Sequence, residues 1–392
     1  MINELRRSEV RAFIKAHEKE DPAALVLKYG DKKNLPIQLI AAQIKARQKA
    51  KSKLPFFYKN DLIFPHGVSL EQCSSEDTAQ YKSSIFKGKN LTDLTGGFGI
   101  DTYFLSQNFD VVNYVEKNKE LVALAESNFK ALNTKIRTHH LEAEAYLNKT
   151  NIYSDSFFID PARRDGTNQK VFRIEECQPN LKILLPQILK NKSQILVKLS
   201  PMLDIYQALN ELPNVSEIHV VSVQNECKEL IFKLDPIFED SPKIFTVNIK
   251  GSISETFSFH QLDEKKTPEF DFPKKYIYEP NASIMKAGGF NAVAHQYGLS
   301  KLHPNTHLYT SERYLTDFPG RKFKLKIIES LNKKKLQSHL NDKKANITIR
   351  NFPSTVKAIR QKTGIKEGSD TYLFATTLKD DALKVLICQK MG

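Results

Sequence analysis

The chain predicts an α/β fold, a mostly parallel sheet covered by helices on both faces, with a helical region before it and an α+β region after it. Three observations carry this expectation. Between residues 91 and 234 short apolar runs alternate with stretches of helical periodicity, the pattern of repeated strand-helix-strand units. A glycine-rich turn, Asp93-Leu-Thr-Gly-Gly-Phe-Gly99, follows the first of these runs. Glu116 closes the second run, roughly 20 residues on, the spacing of an acid at the neighbouring strand tip in a nucleotide-binding unit.

The elements follow in order. Residues 1–75 read as a small helical domain, in which Ile37, Ile40, Ala41 and Ile44 share one helix face and lead into the basic run Lys45, Arg47, Lys49, Lys51 and Lys53. Ser74 and Ser75 are candidate N-caps for a helix that delivers the chain to the first strand. Residues 76–262 hold the sheet domain. Strands are expected at 91–94, 111–115, 136–140, 156–160 and 194–199, with helices near 100–108, 118–132, 142–148, 179–190 and 202–211. Two more strands, 217–223 and 229–234, have no helix between them, so a hairpin should close a seven-stranded sheet. A dinucleotide-binding dehydrogenase would end on another strand-helix unit instead. Beyond residue 235, Ile244–Ile249 and Glu255–Phe259 alternate as strands, and 263–272 is a polar linker. Residues 276–320 form a compact small domain and 321–392 a basic one. Within the latter, Lys322 to Ile328 alternates lysine with apolar residues, which predicts an edge-like, half-buried strand with a basic wet face.

Composition narrows the function. A length of 392 residues allows several cores. No apolar run reaches the roughly 18 residues needed to span a bilayer, and the start lacks the apolar core of a signal peptide, so a cytoplasmic protein without membrane contact is expected. Cys73, Cys177, Cys227 and Cys388 lie far apart with no C-x-x-C pair, which points to neither zinc nor disulfides. His303 and His307 are spaced as a helical metal pair, but Pro304 between them disfavours the helix, and no metal is expected. The net charge of +14 concentrates between Arg321 and Lys366, where only Glu329 and Asp342 oppose the lysines and arginines. Such a block is the footprint of a polyanion partner, most often nucleic acid, or a solvated face that aids solubility.

The glycine-rich turn poses a choice of ligand. A dinucleotide site wants a third glycine for close helix packing, where this chain has Ile100, Asp101 and Thr102, and Asp101 would repel a pyrophosphate. A cationic cofactor with an amino-acid tail, S-adenosylmethionine, suits an acidic pocket better. Asp93, Thr95, Gly96, Gly97, Gly99 and Asp101 are then candidate cofactor residues, with Glu116 on the ribose and Glu142 and Ala143 at the adenine edge. A turn with no ligand is the alternative. After Phe157-Phe158-Ile159 comes Asp160-Pro-Ala-Arg-Arg-Asp-Gly166, at a strand end where open parallel sheets bind substrates. Asp160 could accept a hydrogen bond from an amino or ring nitrogen. Arg163 and Arg164 offer forked donors for a phosphate, a carboxylate or a base edge, or simply pair with Asp165 or Glu175. Asp160 and Arg163 are the candidate catalytic residues. Lys198 either binds substrate or is solvated.

Six segments together resemble one family: Glu71-Gln-Cys-Ser-Ser-Glu76, Asp93 to Asp101, Asp160 to Asp165, Lys198 to Asp204, Tyr278-Glu-Pro-Asn-Ala282 and Asn351-Phe-Pro353. They are similar to bacterial class I S-adenosylmethionine-dependent methyltransferases that carry a small ferredoxin-like insert and a C-terminal THUMP-like domain. The resemblance implies a Rossmann-like sheet, S-adenosylmethionine as cofactor and a structured RNA, such as tRNA or rRNA, as partner. It places Lys322, Lys324, Lys326, Lys333, Lys334 and Lys335 on RNA phosphates and names no target base. Related carbon-5 uracil enzymes need a cysteine nucleophile past the next strand, where this chain has Ser200, so transfer to a base nitrogen or ribose oxygen is expected. A non-catalytic RNA-binding protein with a vestigial nucleotide site, and a methyltransferase acting on protein or a small molecule, remain alternatives.

Overall fold

A computed structural model describes residues 1–32, 34–65, 67–149, 154–163 and 174–391. The chain forms two compact units, Met1–Ser216 with Leu230–Asp240, and Glu217–Glu229 with Ser241–Gly392.

The first unit begins with helices. The longest, Ile37–Lys53, buries Ile37, Ile40, Ala41 and Ile44 as the periodicity requires. These helices share one apolar core with Phe98, Ile100 and Phe104, which belong to the turn and helix after the first strand. Five parallel strands follow: β1 (Asn90–Asp93), β2 (Val111–Glu116), β3 (Arg137–His140), β4 (Ser156–Ile159) and β5 (Gln194–Leu199). Their order is β3-β2-β1-β4-β5, so the chain reverses direction across the sheet between β1 and β4, the switch point where doubly wound sheets bind ligands. β6 (Val215–Val223) and β7 (Glu226–Leu234) form the expected hairpin, whose turn residues Gln224 and Asn225 have positive φ. Residues 230–234 run antiparallel to β5. The order β3-β2-β1-β4-β5-β7-β6 is the seven-stranded arrangement expected.

In the second unit the sheet does not stop at seven strands. β8 (Lys243–Lys250) pairs in parallel with β6, and β9 (Ile253–His260) pairs antiparallel with β8, which makes nine in all. The extra pair satisfies the backbone groups that β6 would otherwise leave open as an edge. A separate seven-stranded sheet contains β10 (Tyr276–Pro280), β11 (Ser300–His303), β12 (Thr306–Ser311), β13 (Gly320–Glu329), β14 (Asn346–Arg350), β15 (Thr371–Thr377) and β16 (Leu383–Lys390), in the order β11-β12-β10-β13-β16-β15-β14. β13 is therefore central, not an edge: β10 and β16 take its ladder on both sides. Its strict alternation also fails. A bulge between Leu325 and Ile327 shifts the register, so Phe323 is fully buried while Ile328 is 39% exposed. Helices Lys333–Ser338 and Val356–Thr363 cover Leu373, Ala375, Val385 and Ile387.

Candidate active site

The glycine loop after β1 is shaped by its neighbours. A Cβ on Gly96 would stand 2.2 Å from the Tyr114 ring, and one on Gly99 would stand 2.7 Å from Phe129. Gly97 and Gly99 have φ of 54° and 83°, the left-handed region that glycine adopts without strain. Tyr114 Oη donates to Gly97 O at 2.6 Å, locking the turn against β2. At the tip of β2, Glu116 accepts from Gly97 N at 2.9 Å and from Asn118 N at 2.7 Å.

Asp93 is 1% exposed. It accepts from Thr95 N at 3.0 Å and Thr102 Oγ1 at 2.5 Å, and burial pushes its carboxyl up to about 7. Thr95 in turn accepts from Asp160 N at 2.7 Å, which ties the β1 loop to the end of β4. Asp101 has other duties than those foreseen. It accepts from Ser74 Oγ at 2.7 Å and pairs at 3.1 Å with Lys82, a fully buried lysine on the helix Glu76–Ile85. Burial would raise Asp101, but Lys82 and Lys198 more than offset it, and the carboxyl lies below its usual range. Ser75, not Ser74, caps that helix. Asp160 pairs with Lys198 of β5; burial raises its carboxyl and Lys198 only partly opposes this.

The glycine loop and the four acids Asp93, Asp101, Glu116 and Asp160 open on one cavity of about 260 Å3, near the lower limit of roughly 300 Å3 usual for small-molecule sites. Asp93, Thr95, Gly96, Gly97, Gly99 and Asp101 line it along the β1 side, and Glu116 lines it at β2. Glu142 and Ala143, at the start of the helix Ala143–Leu147, line it at β3, and Asp160 at β4. The backbone of Arg163 pairs with Cys177 in a two-residue ladder. Its side chain, and all of Arg164 and Asp165, lie outside the described residues. The six lysines from Lys322 to Lys335 belong to the second unit, on β13 and the helix Lys333–Ser338.

Two walls were not foreseen. Ser69, Gln72, Cys73 and Ser74 form one, and Gln178 and Pro179 another. Gln72, Cys73 and Ser74 lie in one of the segments that carry the family resemblance, which assigned them no role, and Ser74 read as a helix cap. Burial pushes the Cys73 thiol up to about 11, so it is not an activated nucleophile. Among the described residues no cluster of three metal-ligating side chains occurs; His303 bonds Asp381 and Asn351, while His307 stacks on Phe290 at 3.6 Å.

The charge of the lining bears on the choice of cofactor. Among the described residues, Asp93, Asp101, Glu116, Glu142, Glu144 and Asp160 face Lys117 as the one basic side chain of the lining. A pyrophosphate fits such a site poorly. A sulfonium with an ammonium tail fits it well.

Comparison with known proteins bears on the fold. Over 98% of both chains, at 32% identity and a TM-score of 0.88, the chain matches the crystal structure of a presumed methyltransferase from Porphyromonas gingivalis W83. It belongs to this family. Its members are class I methyltransferases in fold, and two segments of the chain match family descriptions directly: residues 276–319 a ferredoxin-like domain, and 320–390 a THUMP domain-like segment. Weaker likenesses, which add nothing to the reading, include a Pyrococcus abyssi tRNA (uracil-54, C5)-methyltransferase in complex with S-adenosyl-L-homocysteine (14% identity, 44% of this chain and 40% of that one, TM-score 0.30). Another is a presumed class I S-adenosylmethionine-dependent methyltransferase of Listeria monocytogenes (14% identity, 63% and 87%, TM-score 0.35). No curated protein matches the chain. No helix of the described residues is long and apolar enough to cross a membrane.

Proposed function

We propose that this protein is an S-adenosylmethionine-dependent methyltransferase acting on a base nitrogen or ribose oxygen of structured RNA, tRNA or rRNA. The observation that carries the reading is the single cavity in which the glycine loop, Glu116 and Asp160 meet at the switch point of the sheet. When bound, S-adenosylmethionine supplies an electrophilic methyl group on a positively charged sulfur. Glu116 would hold its ribose hydroxyls, Asp93 and the backbone of Thr95 to Gly99 its methionine end, and Glu142 and Ala143 its adenine edge. Asp160 would hold the methyl acceptor, and much of the rate would come from that fixed placement. The covalent route is disfavoured, because the cavity's thiol, Cys73, is held protonated.

RNA is the proposed partner on two grounds: the THUMP domain-like match of 320–390 and the lysines it carries. Domain limits at 1–75, 76–262, 276–320 and 321–392 complete the proposal. Nucleoside mass spectrometry of RNA from a strain lacking the gene tests it. One methylated nucleoside should disappear and return on complementation with the wild type but not with Asp160→Ala; an unchanged set of nucleosides contradicts an RNA substrate.

A further inference from the structure

β5 is largely apolar: Ile195, Leu196 and Val197 are fully buried and Leu199 is 5% exposed. Lys198 interrupts this run with an ammonium whose side chain is only 12% exposed. Burying a charge there is costly, and a buried ion pair returns little stability over an apolar pair of like size. A reason for the lysine is therefore to be sought in its partner. That partner is Asp160, on the adjoining strand end, where Ile159 and Val197 are in register.

Asp160 is fixed at both its ends. Its backbone N donates to Thr95 Oγ1, and its Oδ2 is held by Lys198 Nζ, while Oδ1 takes no hydrogen bond from a described residue. Around it stand Asp93 from β1, Asp101 from the helix Ile100–Leu105, Lys82 from the helix Glu76–Ile85, and Lys198; the Arg163 side chain lies outside the described residues. The second pair, Lys82 with Asp101, repeats the device: two acids of the cavity, Asp101 and Asp160, are each matched to a lysine from another element, while Asp93 is held by Thr95 and Thr102.

We propose that Lys198 is a positioning residue, which fixes the rotamer of Asp160 and keeps it an ionised hydrogen-bond acceptor facing the cavity. This rests on Asp160 meeting the methyl acceptor. An ionised carboxylate only accepts hydrogen bonds. The group recognised beside it must then bring its own hydrogen, as an amine or amide N–H or a hydroxyl does, and a ring nitrogen without hydrogen is disfavoured.

The test uses the full chain, radiolabelled S-adenosylmethionine and total RNA from a strain lacking the gene. Lys198→Met should lower kcat about 10- to 100-fold with cofactor affinity, read by calorimetry, within about threefold. Its acid limb of the pH–rate profile should move to higher pH, because Asp160, already raised by burial, loses its cation and stays protonated further up the scale. Lys198→Arg should restore part of the rate and bring the limb back. Lys198→Met with wild-type kcat and an unmoved limb overturns the proposal. If Asp160→Ala is itself fully active, the reading of the site fails; if it is inactive while Lys198→Met equals wild type, only the positioning role fails. A readout without cofactor or RNA completes the test. In chemical unfolding the effects of Asp160→Ala and Lys198→Met should be non-additive, and strict additivity overturns the pairing even if RNA takes up no label.

Discussion

In the first unit, several cations are matched to groups of the same unit. Lys82 pairs with Asp101 and Lys198 with Asp160, while Arg47 bonds Glu18 at 2.6 Å and Asp61 at 2.8 Å. Lys49 bonds Glu71 at 2.5 Å, and Lys53 donates to the carbonyls of Leu70 and Glu71 at 3.0 and 2.7 Å. In the second unit, Lys324, Lys326, Lys333 and Lys334 form no ion pair with a described residue; Lys335 has a loose one with Glu329 at 3.6 Å, and Lys322 donates to Thr316 O. The two basic stretches, 45–53 and 322–335, are alike in composition. Pairing separates most of them: in the first stretch Arg47, Lys49 and Lys53 are engaged, and Lys45 and Lys51, like most lysines of the second, form no ion pair with a described residue. Paired cations shape a pocket and its walls: Lys82 and Lys198 hold acids of the cavity from within, and the more exposed Lys49 and Lys53 bond the segment from which Gln72, Cys73 and Ser74 line it. Outward cations are available to a polyanion.

This contrast can be broken at four points. The largest effect is expected at Lys82. Lys82→Met leaves Asp101 buried beside one cation fewer and should destabilise the protein by about 3–5 kcal/mol, seen as a lower Tm with unchanged salt dependence of RNA binding. An unaltered Tm would show that Lys198 alone suffices for Asp101.

Asp93 comes next. Its carboxyl is raised from the ordinary value to about 7, so the stability tied to its protonated form is complete at low pH and is lost as pH rises from about 4 through about 7. Asp93→Asn should remove this loss, a relative gain of up to roughly 4 kcal/mol at pH 8 over pH 4 in the cofactor-free protein. Parallel unfolding curves of variant and wild type across that range would contradict the burial argument.

Glu116→Ala should weaken S-adenosylmethionine binding by about 2–4 kcal/mol, with little change in RNA affinity. Calorimetry that finds equal affinities would remove Glu116 from the cofactor site. The smallest effect on the protein itself belongs to the outward lysines. Changing Lys324, Lys326 and Lys334 together to glutamine should leave Tm within about 1 °C and flatten the log–log salt slope of RNA binding by about 2–3. Lys49→Gln with Lys53→Gln should do the reverse, lowering Tm and sparing the slope. Equal slopes for both sets would erase the distinction between the two regions.

How much of this was legible follows from what each residue contacts. The glycine loop and Glu116 were readable because left-handed backbone and close approach to Tyr114 and Phe129 demand glycine, and because an acid ends an apolar run. The alternation of strands and helices up to the hairpin was readable because most strands are short apolar runs buried on both faces, while the helices between them bury one periodic face. Lys82 and Lys198 were not, since a lone lysine has the same letter whether solvated or buried, and its partner lies on another strand or helix. Asp101 read as a cofactor acid, although Ser74 and Lys82 already engage it. The wall from Ser69 to Ser74 and the pairing of β8 with β6 depend on long-range packing that local periodicity does not record. β13 read as an edge because its lysines alternate, and lost that reading to ladders on both sides and a bulge.

The most direct test of the account follows the methyl group. Purified protein, radiolabelled S-adenosylmethionine and an extract from a strain lacking the gene are incubated, and label is measured in RNA, protein and small-molecule fractions. The account predicts label in RNA alone, abolished by Asp160→Ala and reduced at raised salt by the triple lysine change. Label in protein or small molecules, or none in any fraction, would contradict it.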